Sequence, residues 1–273
     1  MDLRTTVSLL LLLLGLCNAH HGNDQDGANN EMLEDKSNVE DITATILRMN
    51  NRSSDFLLEG DVFIPKTRTA MKCLNKAYSC LWPKSANGKV EIPFLISQKY
   101  DDTERSMILH AMKDFESKTC IHFIPRATQR GYLSIEPRFG CSSLLGRTGD
   151  KQVVSLQRFG CIQQGIIQHE LLHALGFYHE HTRSDRDQHI RINWENVNEY
   201  FIYNFKKMDT DNLNTPYDYS SIMHYGRTAF GKFRSETIIP IPDPSAPIGQ
   251  RDSLSDIDIV RINRLYKCWR YVG

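Results

Sequence analysis

Apolar positions along this chain change period several times, and each period predicts an element. From Val90 to Ile96 the pattern alternates and then runs apolar, which predicts a strand, with Pro93 placing it at a sheet edge or a bulge. Met107, Ile108, Ala111, Met112 and Phe115 then recur at helical spacing, predicting a helix over Asp102 to Lys118 whose stripe faces a core. Strands follow at Ile121 to Ile124, Tyr132 to Ile135 and Val153 to Leu156, separated by glycine-containing or polar turns. A helix carrying His169 comes next, after a turn containing Gly160. Beyond His179 the chain is polar and irregular, and helical spacing returns over Asn196 to Phe205. Ser255 is placed to cap a last helix bearing Ile257, Val260, Ile262 and Leu265. Asp256 and Asp258 stand in its first turn and Arg264 and Lys267 stand late, which suits the helix dipole. Together these elements predict a mixed α+β domain.

The N-terminal end has a different pattern. Arg4, an apolar run from Val7 to Leu16 and small residues toward Ala19 have the layout of a secretory signal peptide, with residues 1–19 removed. The run is too short for a spanning helix, which needs about 20 apolar residues, so no membrane span is expected. Export also accounts for the cysteines. Seven are present, Cys17 leaves with the signal, and six remain, an even number that suits three disulfides in any of fifteen connectivities. No Cys-x-x-Cys occurs to suggest a thiolate metal cluster.

Charge divides what remains. Residues 20–68 hold ten acidic and five basic side chains, whereas residues 69–273 hold 22 and 27. Opposite net charge favours a leader that lies on the domain it precedes. The basic residues of that domain are scattered rather than clustered, which gives no support to nucleic-acid binding.

The chemistry is concentrated in His169-Glu170-Leu171-Leu172-His173-Ala174-Leu175-Gly176-Phe177-Tyr178-His179. Two imidazoles one helical turn apart face the same way and can bind one metal ion. Glu170 is then placed to work on water rather than to bind the metal. Gly176 can adopt the positive φ that ends a helix, letting the chain return His179 as a third ligand. Three protein ligands leave a coordination position open, which distinguishes a catalytic zinc site from a structural one. Five fixed positions in one stretch set this apart from a buried helix that merely carries histidines.

The pattern continues through Phe177-Tyr178-His179-Glu180, Arg183-Ser184-Asp185-Arg186-Asp187 and Ser221-Ile222-Met223-His224-Tyr225. From Thr69 to Cys268 the chain resembles the astacins, a family of metzincin zinc endopeptidases. Gln152-Val153-Val154-Ser155-Leu156, Thr215-Pro216-Tyr217-Asp218-Tyr219 and Ile239-Pro240-Ile241-Pro242-Asp243 are similar to stretches of its single-domain fish hatching enzymes. The resemblance implies an upper half with a twisted mixed sheet and two long helices, a largely irregular lower half ending in a helix, and a cleft between. It implies one Zn2+ per chain on His169, His173 and His179, with Glu170 as general base. Met223 would lie beneath the metal without binding it, and His224 would not be a ligand. Tyr225 would be an extra ligand that swings away and stabilises the oxyanion. The family's two bridges correspond to Cys120–Cys268 and Cys141–Cys161, leaving Cys73–Cys80 as the extra bridge of hatching enzymes. Its substrate-aligning edge strand would be Lys151 to Leu156, to which an extended peptide adds as another strand.

By their residues alone, residues 20–68 read as a flexible acidic leader or an inhibitory segment, and the same resemblance implies an inhibitory propeptide. Its instrument would be Asp61 of Leu58-Glu59-Gly60-Asp61, whose carboxylate takes the open zinc position; Leu58 stands where the family usually has Phe. Lys66-Thr67-Arg68 offers a tryptic-type activation site, so the mature chain would begin at Thr69 and its amino group would pair with Glu180. The sequon Asn51-Arg52-Ser53 lies in the removed part. The reading that follows is a secreted, monomeric endopeptidase stored in secretory granules and acting on egg-envelope glycoproteins. No adhesion or growth-factor-like module is expected after Cys268. A nephrosin-like protease of immune or haematopoietic tissue is the enzymatic alternative. An inactive zinc-containing binding protein is the non-enzymatic one, and intact Glu170 and Tyr225 argue against it.

Overall fold

The structure, a computed structural model, describes residues 40–63 and 80–271. Asp41 accepts the Ala44 N–H at 2.8 Å and so caps the first helix, α1 (Ile42–Asn50), which buries Ile42, Ile46 and Met49. Two short antiparallel strands follow, β1 (Leu57–Leu58) and β2 (Val62–Phe63), turning through Glu59 and Gly60. The chain then forms β3 (Val90–Ile96), α2 (Asp102–Lys118), β4 (Ile121–Pro125), β5 (Tyr132–Glu136), β6 (Cys141–Ser143), β7 (Lys151–Leu156) and α3 (Gln164–Leu175). Among the described residues the lower half contains only β8 (Ile190–Ile192), β9 (Ile238–Pro240) and α4 (Asp256–Leu265), joined by 3-10 turns and loops.

One seven-stranded mixed sheet has the order β1-β2-β6-β7-β5-β3-β4, and β8 and β9 form a separate antiparallel pair. Fold class and halves therefore follow the expected α+β plan, but three local expectations are corrected. First, β3 is interior, parallel to both β4 and β5. Pro93 is accommodated because Val90 N–H and Phe94 C=O bond toward β4, so alternation turns Pro93 toward β5, where pairing begins only at Phe94. Second, Met107 is exposed; the buried stripe of α2 is Ile108, Ala111, Met112 and Phe115, and Met107 lies about 100° around the helix from Ile108. Third, the helical spacing after Asn196 becomes a 3-10 helix over Glu199–Phe205. It buries only Asn204 and Phe205, leaving Tyr200, Phe201 and Ile202 exposed, so no apolar stripe holds a regular α-helix there.

A capping box between Asp101 and Glu104 starts α2. α3 is buried from Gly165 to Leu175, all the way round, as a helix inside a core must be. Two apolar clusters result. The upper one joins the sheet, α2 and α3 and reaches Met223; the lower one holds Ile190, Val197, Phe205, Tyr217, Tyr225 and Ile238. The chain passes from one cluster to the other between Met223 and Tyr225.

Disulfides link Cys120 to Cys268 and Cys141 to Cys161, 148 and 20 residues apart. On the chain-entropy account, loops of these lengths stabilise by about 5 and about 3 kcal/mol respectively. Cys73, the activation segment and Thr69 lie outside the described residues. Among the described residues no helix is long and apolar enough to cross a membrane.

Candidate functional site

His169 and His173 project from α3 one turn apart. Gly176, at φ 105°, ends the helix in the left-handed conformation that an L side chain rarely adopts, and Phe177 N–H closes back on Leu172 O at 3.1 Å. The extended residues beyond bring His179 back to the helix. The three ring centroids lie 4.7 to 5.0 Å apart, and all three side chains are buried. Each Nδ1 has its own anchor: Ile222 O at 2.9 Å for His169, Phe177 O at 2.8 Å for His173 and Glu59 Oε2 at 2.6 Å for His179. Anchoring Nδ1 leaves Nε2 as the atom each ring presents at the centre.

Asp61 closes that centre. Its Oδ2 lies 3.0 Å from His169 Nε2 and 3.3 Å from His179 Nε2, and its Oδ1 lies 3.3 Å from His173 Nε2. One ligand atom from each of the four residues falls within 4.8 Å of the others. His173 Nε2, Asp61 Oδ1 and both Glu170 carboxylate oxygens are buried without a hydrogen-bond partner. Converging buried lone pairs of this kind are costly unless a cation takes them. Three imidazoles and one carboxylate oxygen are a donor set that suits zinc.

Electrostatics sharpen the assignment of roles. Burial, then the charge of Asp61, pushes the Glu170 carboxyl well above its ordinary value, the direction a proton-carrying group needs. Burial drives His169 down to about 4, keeping it in the neutral, metal-binding form. His179 is subject to the same burial, but the Asp61 charge, then hydrogen bonds donated to Asp61 and Glu59, lift it to about 9. At His179 the two carboxylates thus outweigh burial and favour a positive charge.

The sequence-predicted residues are placed as follows. Tyr225 is buried with its ring centroid 4.6 Å from that of His179, and its hydroxyl donates to the backbone carbonyl of Glu59. Its ring packs on His181 with centroids 3.6 Å apart, and burial holds its phenol well above the usual value, so it stays a donor. Met223 is buried in the upper cluster, and its carbonyl accepts the Glu180 N–H at 3.0 Å. His224 contacts the Tyr217 hydroxyl at 2.8 Å. Glu180 is held by Arg261, with Nη2 at 2.8 Å from its Oε1, and by the Asp218 N–H at 2.7 Å. Its expected partner, the amino group of Thr69, falls outside the described residues.

The substrate-aligning strand requires a correction. β7 is not an edge, since β5 lies on one side and β6 on the other. The strand beyond it is β6, and β2 occupies its outer side: Val62 pairs with Ser143, and Asp61 O accepts the Ser143 N–H at 3.1 Å. Asn50 extends this contact, donating to Gly60 O at 2.8 Å and accepting the Cys141 N–H at 2.9 Å. Gly60, at φ 81°, is pressed so close to α1 that an added Cβ would collide with Leu47 Cδ2.

Three supporting residues escape a reading of the sequence. Asp258 accepts from Ser221 Oγ at 2.6 Å and from the Ile222 and Ser255 N–H groups at 3.0 Å each, holding the N–H of the residue whose carbonyl anchors His169. Arg261 holds Glu180. Ser255 followed by Asp258 three residues later is the signal of the capping box that forms, but nothing local shows that Asp258 also reaches the Met223 turn. Glu59 carries no signal beyond its place beside Gly60.

A family model described as Astacin, a peptidase family, matches residues 78–267. The chain is 62% identical over 271 residues to the Low choriolytic enzyme of Oryzias latipes, spanning 98% of this chain and 100% of that protein. It is 50% identical to High choriolytic enzyme 1 of the same fish, over 97% of this chain and 98% of that one. The solved structure of High choriolytic enzyme 1, described as a hatching enzyme zinc-protease, matches with a TM-score of 0.69 and 55% identity, covering 73% of this chain and 99% of that chain.

Proposed function

The chain belongs to the astacin family of metalloendopeptidases, and on that premise we propose that it is a secreted zinc endopeptidase, made as a latent precursor, whose substrates are egg-envelope proteins at hatching. The single observation that carries the chemistry is the convergence of His169, His173 and His179 beside a buried, partnerless Glu170 carboxylate. The choice of substrate is supported by the likeness to choriolytic enzymes over nearly the whole chain.

In this reading His169, His173 and His179 hold Zn2+, which supplies a Lewis acid for the scissile carbonyl and for water. Glu170 takes a proton from the attacking water at its carboxylate and passes it to the leaving amine nitrogen. Tyr225, once released from the Glu59 carbonyl, donates its O–H to the developing oxyanion. An extended peptide takes the outer side of β6 that Val62 now occupies, held by backbone hydrogen bonds.

Asp61 keeps the precursor silent by filling the position substrate needs. Residues 1–19 act as the export signal, residues 20–68 as the inhibitory leader and residues 69–273 as the protease, released by a tryptic-type cut after Arg68. The observed disulfides agree with an oxidising compartment. A new amino terminus pairing with Glu180 would share that carboxylate with Arg261. Incubating the Thr69-start form with isolated egg envelope, then sequencing the termini of released fragments, tests the substrate. Intact envelope under conditions where the same sample cuts casein would refute it.

A further inference from the structure

The three metal-facing histidines are not all held by the same part of the chain. Ile222 and Phe177 carbonyls hold Nδ1 of His169 and His173, and both belong to the protease. Nδ1 of His179 is held by the Glu59 carboxylate, which belongs to the leader. Glu59 is completely buried and committed to this place. Its Oε2 accepts from the His179 backbone N–H at 3.2 Å as well as from Nδ1, and its own N–H donates to Asn204 Oδ1 at 2.9 Å. Its carbonyl accepts from the Tyr225 hydroxyl. All this is achieved with φ at 53°, a conformation that an L residue adopts only at a cost.

A buried carboxylate in a strained turn is an expensive way to block a cleft, and Asp61, two residues on, already blocks it. What Glu59 adds is a negative partner behind a ligand imidazole. Such a partner fixes the ring, fixes which nitrogen is presented, and makes that nitrogen a stronger donor. We infer that Glu59 is a positioning residue for the third metal ligand, so that the leader helps load and retain the metal as well as covering it. This rests on the reading of the three histidines as a zinc site. When the leader is removed, His179 loses this anchor in the same event that frees Tyr225. The uncleaved chain is therefore the tighter holder of zinc.

The test uses the uncleaved chain carrying one zinc and measures transfer of that zinc to a chromophoric chelator. Glu59→Ala should weaken zinc retention by about 10- to 100-fold. Glu59→Gln, whose amide oxygen still accepts but carries no charge, should fall between Ala and wild type. With Co2+ in place of zinc, the visible spectrum of both variants should shift although Asp61 is intact. Glu59→Gln keeps the side-chain volume and decides the matter if the Ala variant does not fold. Zinc retention and a cobalt spectrum equal to wild type in Glu59→Gln and Glu59→Ala would overturn the inference while leaving the zinc site standing. A wild-type uncleaved chain that takes up no zinc would overturn both.

Discussion

Asp61 Oδ2 lies 3.0 Å from His169 Nε2, although 108 residues separate the two in sequence. The contact is held from both ends. His169 is fixed through Ile222 O, and Asp61 is fixed by the left-handed turn at Gly60 and by pairing with Ser143. Asp61→Ala should therefore give an uncleaved chain that hydrolyses a fluorogenic peptide at a measurable fraction of the rate of the cleaved form. A zinc-loaded Asp61→Ala chain with no activity would remove Asp61 as the closing group.

Glu170 has no hydrogen-bond partner for either carboxylate oxygen, so neither is committed to a structural contact. Glu170→Gln in the cleaved chain should retain one zinc and lose about 10²- to 10⁴-fold in kcat. Zinc analysis and single-turnover peptide cleavage on the same sample separate the two effects. Near-normal turnover would exclude the general-base role.

Asp258 gathers two backbone N–H groups and one hydroxyl at the turn that holds His169. Replacing it with Ala leaves those buried donors unpaired, so Asp258→Ala should destabilise the chain by about 3 kcal/mol in denaturant unfolding. Loss of the helix cap alone accounts for about 1 kcal/mol, and an effect of that size would show that the turn does not depend on Asp258.

Glu136 gives a pH signature away from the histidines. Burial opposes its ionisation, but hydrogen bonds from Lys151, Ser134 and Arg138 outweigh this and hold its carboxyl at about 2, against an ordinary 4.5. A depressed folded value means that the stabilisation is fully present above about pH 4.5 and is lost as pH falls toward 2. The stability gap between wild type and Glu136→Gln should accordingly be widest at neutral pH and shrink over that interval. A gap independent of pH would mean that Glu136 contributes nothing through its charge.

What is legible in the sequence is local. The spacing of His169 and His173, the glycine that turns the chain toward His179, and the stripe of α2 each follow from a few neighbouring residues. Strand adjacency does not. β6 is only Cys-Ser-Ser, too short and polar to register as a strand, so its neighbour β7 reads as the edge. Pro93 misleads for a related reason, because a proline in an interior strand is tolerated when its missing N–H faces a neighbour that has not yet begun to pair. α4 carries the expected apolar positions, yet much of its buried surface is Asp258, Arg261 and Asn263, whose side-chain partners beyond the helix cap lie 36 residues or more away. Glu59 is the extreme case: its role depends on His179, 120 residues distant.

The central claim is a zinc peptidase that its own leader holds shut, and one paired measurement tests it most directly. Peptide hydrolysis is followed for the uncleaved chain and for the form cut after Arg68, each with its zinc content determined, before and after a zinc chelator and again after zinc is restored. The account predicts a silent zinc-containing precursor and a cleaved form whose activity vanishes with the metal and returns with it. A cleaved, zinc-loaded chain that hydrolyses no peptide, or one whose activity survives complete removal of zinc, would contradict it.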